Sequence, residues 1–181
     1  FMNGNIWEFG GFDISNSVLK PINIPRVNVF TQKFKNSASP RPIWFNGGMD
    51  PEPTDVDNLN IITKDSRVLA PQNEAEIIAA TKSAFKFENP NLNNPGTVDC
   101  VSCHIAQSAK IWSMRQYPWL NLDVVSKNEI YTSDRDIRNL SPMQIHTNIL
   151  RSFGYFMDIP FVAQRTINES AEVIKYINAN F

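Results

Sequence analysis

The chain has 181 residues, 42% hydrophobic and 11% aromatic, which is enough for a packed core and argues against disorder as a description of the whole. Seventeen basic against eighteen acidic side chains leave a formal charge of −1, without the positive field that attracts nucleic acid. No apolar run reaches the roughly 20 residues needed to cross a bilayer, and the opening "FMNGNIWEFGG" has no basic segment followed by an apolar stretch, so a soluble mature form or a piece of something longer is expected.

The first 70 residues read as strands and turns. "NIWEFGGFDI", "INIPRVNVF", "RPIWFN" and "NIITK" are short runs of aromatic and β-branched residues separated by Gly, Pro, Asn and Ser. "FNGGMDPEP" is predicted as a turn or loop, because Asn46, Gly47 and Gly48 tolerate positive φ and Pro51 disfavours helix at Asp50. Pro21, Pro25, Pro40 and Pro42 remove ladder donors, which keeps these strands short or at edges. The large side chains Trp7, Phe9, Phe12, Phe30, Phe34, Trp44 and Phe45 have two readings, as core or as a docking surface for a redox partner. Asp50, Glu52, Asp55 and Asp57 lack the spacing of a calcium loop and are expected to face water.

From residue 71 the pattern becomes helical. In "PQNEAEIIAATKSAFKFENP", Asn73 and Glu76 are placed as a capping box, with Ile77, Ile78, Thr81, Ala84 and Phe85 along one side. The loop "NPNLNNPGTVD" leads into "CVSCHIAQSAKIWSMRQ", a second helical stretch ended by Pro118. Residues 118 to 145 show no sustained period and read as loop and short turns. A last helix follows, with Thr166 and Glu169 as capping pair and Ala171, Ile174, Ile177 and Phe181 along one face.

Both cysteines and one of the two histidines fall in "CVSCH", residues 100 to 104. Two cysteines three apart make no structural disulfide framework, because the ring they would close is small and adds little stability. C-x-x-C-H is the attachment signature of haem c: two thiols one helical turn apart form thioethers with the vinyl groups, and the next imidazole ligates iron. A structural zinc site needs four ligands, for which Cys100, Cys103 and His104 have only His146 as a further nitrogen donor. A dithiol oxidoreductase would place C-x-x-C after a buried strand, and "NNPGTVD" is not one.

With a capped helix before the motif and a capped helix at the end, residues 72 to 181 resemble a class I cytochrome c carrying one haem. The resemblance implies a mainly α fold, with a cytochrome c-like helical haem domain over 71–181 and a small β-rich or extended segment over 1–70 that it does not cover. It further implies covalent haem c on Cys100 and Cys103, with His104 as proximal iron ligand. In the family the sixth ligand lies in a loop before the last helix; Met157 in "GYFMDIPF" has that position, although Pro160 stands three residues later rather than next to it. His146 is the rival, Met143 a third candidate, and an open site the remaining possibility. Trp112, Tyr117, Trp119, Phe153, Tyr155 and Phe156 are candidates to line a haem pocket or a core, and Arg115, Arg151 and Arg165 to pair with a propionate.

The implied function is electron transfer to and from redox partner proteins, by an electron carrier rather than an enzyme, in a periplasmic, extracellular or membrane-surface location. The alternative is a five-coordinate haem c domain that binds a small ligand or belongs to a larger oxidoreductase.

Overall fold

A computed structural model describes residues 5–36, 47–53, 59–66, 74–120, 128–132, 153–156 and 159–181. In chain order the elements are β1 (Asn5–Ser15), β2 (Val18–Ile22), β3 (Thr31–Asn36), β4 (Gly47–Asp50), α1 (Leu59–Lys64), α2 (Glu74–Glu88), α3 (Cys100–Gln116), β5 (Phe153–Phe156), β6 (Ile159–Val162) and α4 (Gln164–Asn180). The fold is therefore mixed α/β, with a four-stranded antiparallel sheet and four helices among the described residues. This corrects the mainly α expectation. The reason is physical: the N-terminal strands form a true sheet whose inner face enters the same core as the helices, so they are no accessory to a helical domain.

The sheet order is β2-β1-β3-β4. β1 pairs with β3 through Asn5–Gly10 and with β2 through Gly11–Ser15. Trp7, Phe34 and Met49 stand directly opposite one another across β1, β3 and β4 and form one row of the inner face. That row joins Leu59, Ile62, Ile77, Ala80, Ala84, Phe87, Val101, Ile105, Ala109 and Trp112 in a single hydrophobic core. Phe34, Ile62, Ile77, Val101 and Ile105 are fully buried there, each contributing about 1.5–3 kcal/mol of apolar burial. Ala80 and Ala84 on α2, with Ala106 and Ala109 on α3, are all fully buried, and their small side chains let the two helices approach closely. Thr81 Oγ1 crosses this contact to Ser113 Oγ at 3.0 Å and also reaches the Ile77 carbonyl at 2.7 Å.

Several local expectations are revised. "FNGGMDPEP" holds β4, made possible by Gly47 at φ +147°, where an added Cβ would lie 2.1 Å from the Lys35 carbonyl oxygen. "NIITK" belongs to helix α1, whose Leu59 and Ile62, three apart, are both buried; the tertiary core overrides the β-branched composition. Most of "INIPRVNVF" is a tight excursion between β2 and β3, with Ile24 bridged to Val29 and positive φ at Arg26 and Asn28. "RPIWFN" and Asn73 lie outside the described residues.

The last helix starts earlier than Thr166. α4 opens at Gln164 after Ala163, which caps it with no side chain. The first N–H is instead satisfied by α3: Gln164 N donates to Gln107 Oε1 at 2.7 Å. Glu169 turns to Arg165, 2.5 Å away, rather than back to the helix start.

The end of α2 leaves carbonyls without intrahelical partners, as every helix does. They are met by side chains: Arg165 donates to the Phe87 carbonyl through Nη1, Asn168 Nδ2 to that of Glu88 at 2.6 Å, and Asn93 Nδ2 to that of Lys86 at 3.0 Å. This bonding fixes the first two turns of α4 against α2 and α3.

Candidate functional site

The motif forms the first turn of α3. Asp99 is the N-cap, extended at φ −73° and ψ 154°, and its Oδ2 accepts from Ser102 N at 3.0 Å. The same oxygen accepts from Gln32 Nε2 at 2.8 Å, while Gln32 Oε1 accepts from Val101 N at 3.0 Å. One glutamine from β3 thus satisfies an orphan N–H of the helix and steadies its cap. Gln32 and Asp99 are both fully buried, so these bonds form away from competing water. Asp99 Oδ1 is also buried and has no hydrogen-bond partner among the described residues.

Gln32 stands directly opposite Phe9 in the β1–β3 ladder. Phe9 meets the motif as well: its ring centroid lies 4.8 Å from that of His104, with the planes tilted by 43°. Two adjacent strands therefore supply a paired platform, an amide under the helix start and a ring against the imidazole. Met49, on β4, accepts from Ser102 Oγ through Sδ at 3.7 Å.

Cys100, Cys103 and His104 sit at i, i+3 and i+4, which places them on one side of the helix. Both cysteines are free thiols and partly buried, as is His104. Burial raises the Cys100 thiol above its ordinary range, with the Asp99 carboxylate adding to the effect. Cys103, packed against the core, is pushed up to about 11 by burial first, against a lowering pull from Arg165 and a raising one from Glu169 and Asp99. Both sulfurs are thus protonated at neutral pH, the reverse of the depressed thiols that drive disulfide exchange.

Among the described residues no three His, Cys, Asp or Glu side chains converge where one ion could be held. His146, the fourth donor in the zinc reading, lies outside the described residues, and so do Met143, Met157 and Arg151. No described helix is long and apolar enough to cross a membrane.

The other candidates disperse. Trp112 and Tyr117 are core residues in edge-on contact at 5.9 Å, and Trp119 lies 5.7 Å from Tyr117 with 43% of its surface exposed. The backbones of Phe153, Tyr155 and Phe156 form β5. Arg115 is exposed, and Arg165 is buried among carbonyls and Glu169. Of the N-terminal aromatics, Phe34 is core, Trp7 and Phe9 pack against it, Phe12 and Phe30 are exposed, and Trp44 and Phe45 lie outside the described residues.

Sequence reasoning missed Gln32, Asp99 and Gln107. Asp99 had a legible signal, an acidic residue immediately before a helical run. Gln32 had none, because its partners lie 67 and 69 positions away. The donor set fits covalent haem: two neutral thiols one turn apart and an adjacent imidazole, on a helix start held by the sheet. Comparison of the chain with protein-family models, with curated proteins and with solved structures finds no match in any of the three.

Proposed function

We propose that the chain is a monohaem c-type cytochrome module that carries electrons. Cys100 and Cys103 would hold haem c through thioethers, His104 would bind its iron on one side, and Met157 or His146 on the other. The observation that carries the reading is the C-x-x-C-H signature set on the first turn of α3, with both thiols kept neutral by burial and the helix start clamped by Gln32 and Asp99. Bound haem supplies a one-electron iron couple.

The work of the chain's own residues is to keep the ligand frame still. Phe9 restricts the rotation of His104, and the Gln32–Asp99 pair fixes the turn from which both sulfurs project. Burial of Val101 and Ile105 prevents the helix from rolling, so that a change of iron charge would require little rearrangement around it. The implied location is outside the cytoplasm, and the implied partners are redox proteins.

An intact-mass spectrum of the protein made in cells that attach haem c is the first test: one added haem, lost in Cys100→Ala/Cys103→Ala, is the expected result. A mass without haem overturns the proposal. The reduced optical spectrum with and without carbon monoxide then distinguishes carrier from ligand-binding haem. A low-spin spectrum unmoved by carbon monoxide, and altered by either Met157→Ala or His146→Ala, is expected of the carrier. Rapid carbon monoxide binding by the native protein identifies the five-coordinate alternative.

A further inference from the structure

Away from the motif, a cleft of 530 Å³ opens between α4, the turn after α2 and the segment 128–132, a volume within the range of small-molecule sites. Its frame is cross-linked on two sides. Asn89, 5% exposed, donates from Nδ2 to the Glu129 carbonyl at 3.1 Å and accepts from Asn91 N at 2.9 Å. Across the cleft, Tyr131 OH donates to Glu172 Oε1 at 2.7 Å, binding the segment to α4. Three stretches of chain far apart in sequence are thus held as fixed walls.

The groups facing the cleft have a definite chemical character. Glu172, Lys175 and Asn178 follow one another at three-residue steps along α4, giving an acceptor, a cationic donor and an amide. The carboxylate and ammonium lie 3.5 Å apart and offset each other, so the cleft presents no net charge. Asn91 and Asn178 bring exposed side-chain amides to the lining, and Thr132 adds a hydroxyl. Ile130 and Ile174 contribute apolar surface that is 37% and 42% exposed.

A ligand that suits this arrangement is uncharged, both donates and accepts hydrogen bonds at several positions, and has an apolar C–H face. We infer that the cleft binds a neutral saccharide of one or two rings. Its hydroxyls pair with the Asn91 and Asn178 amides and with Glu172 and Lys175, and a ring face covers Ile130 and Ile174. This inference is independent of the haem reading, since none of Cys100, Cys103 or His104 lines the cleft.

The test is titration of the ¹⁵N-labelled protein, in its haem state as isolated, with glucose, maltose and N,N′-diacetylchitobiose, and with glutamine as a zwitterion of similar size. At least one saccharide is expected to shift the side-chain amide resonances of Asn91 and Asn178 with a millimolar dissociation constant. Asn178→Leu, at an exposed position of α4, and Glu172→Gln, half-buried but keeping an acceptor for Tyr131, are expected to weaken it by about tenfold each while leaving the thermal transition in place. The inference is overturned if no saccharide moves these amides at roughly 50 mM, if glutamine binds more tightly than every saccharide, or if neither substitution changes the affinity.

Discussion

α3 and α4 are both helices of 17 residues, yet ten residues of α3 are buried and only three of α4. The sequence pattern points the other way: α4 is strongly amphipathic, whereas α3 carries Ser102, Gln107, Ser108 and Ser113 in its buried set. A helix enclosed on several sides needs no apolar stripe, provided its polar groups find partners. Three of the four do: Ser102 reaches Met49, Ser113 the Lys110 carbonyl and Gln107 the backbone of Gln164. α4 is gripped only at its start by Arg165 and Asn168, and from residue 173 every residue is exposed. Amphipathicity reports that a helix has two unlike faces, while polar bonding between elements decides which helix the fold encloses.

Substitutions can break that contrast. Ile105→Ala on α3 is expected to cost about 3–5 kcal/mol in urea unfolding, against less than about 0.5 kcal/mol for Ile177→Ala on α4; Ile105 is fully buried and Ile177 48% exposed. Equal losses would mean that the outer half of α4 is packed in solution. Next in size is Arg165→Met, which strands the carbonyls of Phe87 and Asn93 in the interior and is expected to cost about 3 kcal/mol by the same measurement.

Asp99→Ala removes the cap of α3 and one of the two acceptors of the Gln32 amide, the other being the Pro51 carbonyl at 3.2 Å, an expected loss of about 2 kcal/mol. Asp99→Asn retains an oxygen for both bonds and is expected to lose less than half as much, which denaturation of the two variants side by side will check. Gln107→Ala uncaps only the first N–H of α4 and should cost about 1 kcal/mol, with amide exchange accelerated at Gln164 and unchanged at Ser102.

The last effect concerns pH. As a free thiol, Cys103 is raised from its ordinary 9.0 to about 11 in the fold. The folded state therefore holds the proton more tightly than the unfolded chain. The stabilisation is fully present below pH about 9 and declines as pH rises through about 11. Unfolding midpoints measured across that window should fall in the native sequence and fall less in Cys103→Ser.

Legibility differed between site and fold. The C-x-x-C-H pattern at Cys100, Cys103 and His104 is legible because it lies within five residues. The helices α2 and α3 were legible from Pro and Asn boundaries. The turn joining β1 and β2 was not, since Asn16 and Ser17 both adopt positive φ and Ser gives little warning of it. The fold class failed for a related reason: strand-like runs were visible, but the cross-strand row Trp7, Phe34 and Met49 that carries the sheet into the helical core joins residues far apart in sequence. Helix α4 was found and its start misplaced, because its cap resides on α3.

Gln32 has a consequence for anyone who would move the motif elsewhere. A segment from Gly96 to Ala109 carries every residue of the attachment signature and its cap, yet the amide that bridges Asp99 and Val101 comes from β3 and the ring beside His104 from β1. Transplanted into another helix, the segment would take its chemistry and leave its stiffness behind. The signature is local, but the rigidity of its setting is a property of the sheet.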